Sequence, residues 1–186
     1  MYRPLASKTR HKCFISYHTE DEEEVTNFIN TFDHDKDVFL SRGIGAGMAG
    51  DIIESANDEY IKRRIRDLYL RDSTVTVVMV GKCTWARKFV DWEIGASLRN
   101  TSTSNRNGLL GIVLPSVAGQ SFLKYPERLT DNLSANGELA YARLMQYPTS
   151  VDELARGIED AFALRTVCGD LADNSRNLME YNEVCW

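Results

Sequence analysis

The sequence lacks both a basic excess and long apolar runs. Its 186 residues contain 22 Lys and Arg against 27 Asp and Glu, which gives a net charge of −5. Proteins that bind nucleic acids normally carry a basic excess to neutralise phosphates, so that class is disfavoured. The longest apolar runs, Val75–Val80 and Leu109–Leu114, are far shorter than the ~20 residues of a membrane-spanning helix. We therefore expect neither a nucleic acid nor a membrane as a partner.

Cysteine and histidine are also scarce. The four cysteines form no CxxC pair, and the three histidines do not stand at metal-ligand spacing with them, so we expect no metal site. Cys13 falls in an apolar run typical of the core. We expect reduced thiols in a cytosol, and hence a cytoplasmic protein. Residues 1–11 are basic but no apolar segment of a secretory signal follows them, so we interpret them as an N-terminal arm.

Short apolar runs alternate with longer amphipathic segments, which is typical of repeated βα units. The predicted strands span residues 12–17, 37–41, 73–80, 109–114 and 141–147. The predicted helices span residues 21–32, 50–70, 87–99 and 150–165, the last one capped by Thr149 or Ser150. This order predicts an α/β fold with a mainly parallel, about five-stranded sheet between two helical layers. One domain over residues 12–166 and a C-terminal extension over 167–186 are expected.

Ligands of such folds bind beyond the C-terminal ends of the strands. The loops of interest therefore follow Tyr17, Ser41, Val80 and Leu114. The connection over residues 115–140 is rich in Gly, Ser, Asn and Pro and is predicted to be irregular.

A glycine-rich segment, Gly45–Gly50, matches GxGxxG after a predicted strand. A dinucleotide fingerprint also needs a carboxylate at the end of the next strand, but that strand ends Met79–Lys82. Asp72 has roughly the right spacing, yet it precedes the strand. We therefore disfavour a Rossmann site, and no GK[ST] of a phosphate-binding loop is present. A flexible loop and a mobile lid at the ligand mouth both fit, and we prefer the lid.

Phe89 and Glu93 lie one turn apart on the predicted helix that leaves the central strand. That helix face presents an aromatic ring beside a carboxylate near the expected ligand position. From spacing alone, a surface glutamate beside a core aromatic residue is the more frequent outcome.

The chain resembles the TIR-like proteins of bacterial Thoeris antiphage defence and their relatives. The resemblance covers about residues 12–166 and is specific as an ordered set. It rests on Phe14–His18, Val75–Gly81 with Thr84, Arg87–Ile94, and Tyr141…Tyr147-Pro148 followed by Val151–Ala163. It implies a three-layer, flavodoxin-like TIR fold.

In NAD-consuming TIR domains the third helix carries a WxxxE motif with a catalytic glutamate. Glu93 falls on that glutamate, while Phe89 replaces the tryptophan and loses its indole N–H. Trp92 is adjacent but about 100° around the helix, so it does not simply substitute. The resemblance further implies the following substrate-binding candidates besides Phe89: Ser16, Tyr17, His18, Thr84 and, for phosphate, Arg42 in the glycine-rich loop.

The implied activity is cleavage of NAD as a substrate, with no cofactor, no metal, and a transition state of oxocarbenium character that a carboxylate stabilises. If water attacks the ribose, the product is ADP-ribose. If a nucleophilic group of the same molecule attacks it, the product is a cyclic ADP-ribose isomer. For the defence family the product is a signal that activates a separate effector protein, and self-association is expected. A non-enzymatic TIR interaction module and another flavodoxin-like nucleotide-binding or deoxyribosyltransferase-like protein remain alternatives.

Overall fold

The structure is a computed structural model that describes residues 10–44, 60, 64, 70–100, 105–134 and 136–186. The predicted helix over 50–70 and the glycine-rich segment lie almost entirely outside these residues. No helix within the described ranges is long and apolar enough to cross a membrane.

Five parallel strands form one sheet in the order β2-β1-β3-β4-β5. Their bounds are β1 Lys12–Ser16, β2 Leu40–Ile44, β3 Val75–Val80, β4 Gly108–Val113 and β5 Ala142–Gln146. Every residue of β3 and β4 is buried, because helices cover both faces of the middle of the sheet. This order is that of flavodoxin-like folds, and it confirms the predicted α/β class and the five parallel strands.

Four α-helices are described: α1 Glu22–Ile29, α2 Lys88–Ser97, α3 Glu127–Thr130 and α4 Val151–Val167. Acidic residues in the first turn of α1 complement the helix dipole, and α1 continues as a π-helical turn over Asn30–Asp35. Helix α4 is capped as predicted, since the Ser150 hydroxyl accepts from the Glu153 amide. The Glu153 carboxylate in turn accepts from the Thr149 amide, which completes a reciprocal cap.

The alternation of side chains along β1 divides the core between the two faces of the sheet. Cys13 and Ile15 join a core cluster that includes residues of α1 and α4. Phe14 instead joins a cluster with Trp92 of α2. Ser16 has the same parity as Phe14, so β1 ends with a hydroxyl that faces α2.

The second strand begins later than predicted. The sequence predicted it at residues 37–41, whereas β2 spans Leu40–Ile44. Asp37 adopts a left-handed backbone conformation (φ 60°) that suits a turn. The Asp33 carboxylate then accepts hydrogen bonds from the amide and hydroxyl of Ser41 and holds the start of the strand. Arg42 therefore lies within β2 and not in the loop after it.

The structure also corrects the prediction that all thiols are reduced. A disulfide joins Cys83, after β3, to Cys185 near the C-terminus, with their Cα atoms 5.6 Å apart. Cys13 and Cys168 are free and buried, so the core position predicted for Cys13 is confirmed. The Glu183 amide donates to the Ala86 carbonyl, which brings the two chain segments side by side.

Candidate active site

Glu93 lies in the second turn of α2, on the side that faces the end of β1. Its side chain is only 1% exposed. The Ser16 hydroxyl, from the last residue of β1, donates to Glu93 Oε2 over 2.5 Å. The two predicted candidates are therefore brought together at the carboxyl edge of the sheet, where parallel α/β folds bind ligands.

Burial controls the protonation of Glu93. Removal of the carboxyl group from water raises its pKa to about 8, although the hydrogen bond from Ser16 acts in the opposite direction. The carboxyl group is therefore mostly protonated near neutral pH. A positive charge brought next to it would favour the ionised form.

A chain of buried hydroxyl groups fixes α2 on the sheet. The Ser97 hydroxyl donates to the Glu93 carbonyl over 2.8 Å and lies 2.7 Å from the Thr76 hydroxyl of β3. The Asn107 amide group donates to that threonine over 3.1 Å. These bonds set the height of the helix above the sheet and hence the position of the Glu93 side chain.

Phe89 lies in an aromatic cluster one turn before Glu93. Its half-buried ring meets Trp92 edge to face, with the centroids 5.5 Å apart. The Trp92 indole N–H donates to the Met179 carbonyl over 2.8 Å, so it is used by the C-terminal segment. Helix α2 thus carries an indole N–H donor, but this donor binds the C-terminal segment. Stacking of Phe89 on a ligand stays a prediction.

Tyr17 and His18 continue the chain directly after β1. Tyr17 is buried, and burial together with the charges of Glu22 and Glu93 raises its pKa to about 12. Partial burial lowers the pKa of His18, and the nearby Arg87 guanidinium acts in the same direction. Both groups are therefore neutral near pH 7. The side chain of Arg42 lies outside the described part of the structure.

Thr84 shapes the loop after β3. Its buried hydroxyl accepts from the Gly81 amide over 2.8 Å and lies 3.3 Å from both Asp21 Oδ2 and the Met79 carbonyl. These contacts give Thr84 a role in loop geometry, and contact with a substrate stays a prediction.

Asp21 is a second carboxyl group at this edge, and its sequence position is only that of the first residue of the predicted helix 21–32. Partial burial raises its pKa to about 6, the hydrogen bond from Thr84 opposes this, and the charges of Glu24 and Glu20 add to it. A Cβ atom at Gly81 would stand 2.2 Å from Asp21 Oδ2, so a larger residue there would displace the Asp21 carboxyl group. This pairing joins residues 60 positions apart, and local sequence patterns do not reveal it.

Helix α3 and the C-terminal segment both pack directly against α2. Arg128 of α3 makes a buried ion pair with Asp91, 2.8 Å from Nε to Oδ1. The Met179 amide donates to the other oxygen of Asp91, and Asn182 Oδ1 accepts from the Lys88 amide at the first turn of α2. The helix that carries Glu93 is thus held on its outer side by α3 and the C-terminal segment, whose packing no local sequence pattern predicted.

A five-stranded parallel sheet with a buried glutamate on the helix after its central strand is the arrangement expected of a TIR-like α/β domain. A family model described as Thoeris protein ThsB, TIR-like domain, matches residues 14–118, which is more than half of the chain. The chain belongs to this family, and membership connects it with Thoeris antiphage defence. No curated protein matches the chain. The matched range contains Ser16 and Glu93, while β5, α4 and the C-terminal segment lie beyond it.

Proposed function

We propose that the protein cleaves NAD at Glu93, releases nicotinamide and makes a cyclic ADP-ribose isomer or a related ADP-ribose signal for a separate effector. One observation supports this most: the buried Glu93 carboxyl group is oriented by Ser16 at the carboxyl edge of the sheet. Family membership adds the context of defence signalling.

The proposed reaction breaks the bond between the nicotinamide nitrogen and the ribose carbon. The bonding electrons leave with nicotinamide, which becomes neutral, and the ribose acquires oxocarbenium character. An ionised Glu93 beside the ribose stabilises this charge. The raised pKa of Glu93 is compatible with this role, because the cationic nicotinamide ring of the bound substrate favours ionisation. The acceptor is water or a nucleophilic group of the same molecule, and its proton passes to solvent.

Other residues serve the substrate in this proposal. Ser16 positions the Glu93 carboxyl group through its hydrogen bond. Tyr17, His18 and Thr84 border the same edge of the sheet, and Phe89 offers a ring to the nicotinamide. Arg42 remains our proposal for the phosphates, although it starts from within β2. Self-association that completes the site, and action in the cytoplasm, belong to the same proposal. The Cys83–Cys185 disulfide is then one of the rare disulfides of a compartment that keeps most thiols reduced.

Mass spectrometry of the products made from NAD tests this function. The experiment uses the full chain, alone and concentrated enough to self-associate, in wild-type, Glu93→Gln and Glu138→Gln forms. Glu138 is an exposed glutamate, so its variant is a matched control for the chemical change. We expect an ADP-ribose product from the wild type and Glu138→Gln but not from Glu93→Gln. Equal product from all three would remove Glu93 from its role.

A non-catalytic interaction module is the second candidate, and two contacts favour it. The Ser16 hydroxyl donates a hydrogen bond to the Glu93 carboxyl group, and the Met179 carbonyl accepts one from the Trp92 indole N–H. Both polar groups thus have structural partners that explain them without a substrate. The assembled protein would then bind partner TIR surfaces with no NAD turnover, and partner binding would be insensitive to Glu93→Gln.

A further inference from the structure

A cavity of about 240 Å³ lies beyond the carboxyl ends of β3 and β4. Three chain segments meet there: the loop after β3, the loop after β4 and the C-terminal end. Its lining residues are Lys82, Trp85, Gln120, Phe122, Leu123, Lys124, Cys185 and Trp186. None of them takes part in the NAD chemistry proposed for Glu93.

Two large aromatic rings at this cavity are open to water. Phe122 is 95% exposed and Trp186 is 91% exposed. The Cys83–Cys185 disulfide and the bond from the Glu183 amide to the Ala86 carbonyl fix the segment that carries Trp186. An aromatic ring that is fixed in position and exposes a face to solvent offers a stacking surface to a flat ligand.

Positive charge accompanies these rings. The Lys124 ammonium lies 4.1 Å from the centroid of the Trp85 ring, so it covers one face of that indole. In the described part of the chain, neither Lys82 nor Lys124 has a carboxylate within ion-pair distance. Both ammonium groups line the same cavity, and together their positive charge attracts an anion.

We propose that this cavity binds a nucleoside phosphate. The base stacks on the exposed faces of Phe122 and Trp186, and Lys82 and Lys124 pair with the phosphate. Bases stack on aromatic side chains in the same way in single-strand binding proteins. The volume is below the ~300–1,000 Å³ of sites for drug-sized ligands, so it suits one base with its phosphate at the rim. This site stands whether or not Glu93 cleaves NAD.

Calorimetric titration of the Glu93→Gln protein with AMP tests the site. AMP has no nicotinamide–ribose bond to cleave, so the titration measures binding alone. We expect saturable binding that weakens at least about tenfold in Lys82→Gln/Lys124→Gln, a loss of about 1.4 kcal/mol. Phe122→Ala should also weaken binding, and its high exposure means that folding is unaffected. Lys36→Gln, an exposed lysine at a separate groove, is the matched control and should bind like the parent.

Fragments of AMP separate the two parts of the proposal. Adenosine should bind more weakly because it lacks the phosphate, and ribose 5-phosphate more weakly because it lacks the base. ADP-ribose as an additional probe shows whether the same base and phosphate are recognised within a larger nucleotide. No saturable binding of AMP, or equal binding by the lysine variant and its parent, would overturn the site. Preference for an acidic peptide over AMP would overturn it too.

Removal of the disulfide by substitution offers an independent check. Cys185 and Trp186 line one side of the cavity, and the disulfide to Cys83 holds them there. Cys185→Ser should therefore weaken AMP binding in the same titration. Unchanged affinity in this variant would contradict a stacking role for Trp186. The Glu93→Gln background makes all of these outcomes independent of NAD cleavage.

Discussion

Ser16 and Glu93 are 77 positions apart in the sequence, yet the serine hydroxyl donates to the glutamate carboxyl group over 2.5 Å. The bond connects the end of β1 to the helix that follows the central strand β3. It orients a carboxyl group whose pKa burial raises to about 8. A donor to the carboxylate favours the ionised form, so Ser16 controls how readily Glu93 becomes charged.

The first prediction concerns Ser16→Ala. Loss of the hydroxyl removes the group that lowers the pKa of Glu93, so this pKa should rise further. Nicotinamide release from NAD should fall, and the alkaline shift of its pH profile should distinguish this effect from simple loss of folded protein. Ser175→Ala, at an exposed serine, is the control and should keep the wild-type profile. An unshifted profile in Ser16→Ala would contradict the positioning role.

The second prediction concerns stability and pH. Glu93 has a native pKa of about 8 against an ordinary value of 4.5, so between these values the native state holds a proton that the unfolded state has released. The free energy of unfolding should therefore fall as pH rises through this window, by up to about 1.4 kcal/mol per pH unit. Glu93→Gln removes this contribution.

Urea unfolding of both proteins across the window measures the difference. The variant should gain stability relative to the wild type as pH rises from about 5 to about 8. Parallel stability curves for the two proteins would show that the native pKa of Glu93 is close to its ordinary value.

The third prediction concerns the buried ion pair that holds α2. Arg128→Ala leaves Asp91 buried without its cation, and the loss of one partner of such a pair typically costs about 3–5 kcal/mol. Arg176→Ala is the matched control, because Arg176 pairs with Glu127 and Asp131 at the surface. Exposed pairs contribute about 0–1 kcal/mol. Chemical unfolding should show this contrast, and similar losses in both variants would contradict the structural importance of the Asp91 contact.

The fourth prediction concerns the disulfide. Thiol labelling of the denatured, unreduced protein should detect two cysteines, Cys13 and Cys168, and four after reduction. The bond spans 102 positions, and closure of a loop of ~100 residues stabilises a fold by about 4.7 kcal/mol in the chain-entropy description. Reduction should therefore lower the unfolding temperature. Detection of four thiols before reduction would show that Cys83 and Cys185 are unpaired in the isolated protein.

The sequence predicted those parts of the fold that local patterns encode. The β-branched run Val75–Val80 indicated a buried central strand, and the Ser150 cap marked the start of α4. The position of Glu93 followed from helical spacing and from the family resemblance. The second strand was misplaced because the turn at Asp37 depends on backbone conformation and on the distant carboxylate of Asp33.

Long-range contacts were not predictable in this way. Asp91 meets Arg128 because α3 packs on α2, and it meets Met179 because the C-terminal segment packs there too. The same segment brings Cys185 to Cys83 in the loop after β3. Polar residues without periodicity carry no signal for such packing. For the same reason, the sequence placed Asp21 only at the start of a predicted helix. Its carboxyl group in fact lies against the Gly81 backbone, beyond the end of the central strand.

The role of Glu93 is tested most directly by the nicotinamide released from NAD per mole of protein, measured for the assembled wild type and for Glu93→Gln. Removal of a single hydrogen-bond donor that stabilises charge in a transition state costs about 10²–10³-fold in rate, and a carboxylate beside an oxocarbenium ion has the corresponding electrostatic role. We predict a loss of at least this size in Glu93→Gln, with Glu138→Gln unchanged. Equal rates of nicotinamide release by the wild type and Glu93→Gln would contradict the account.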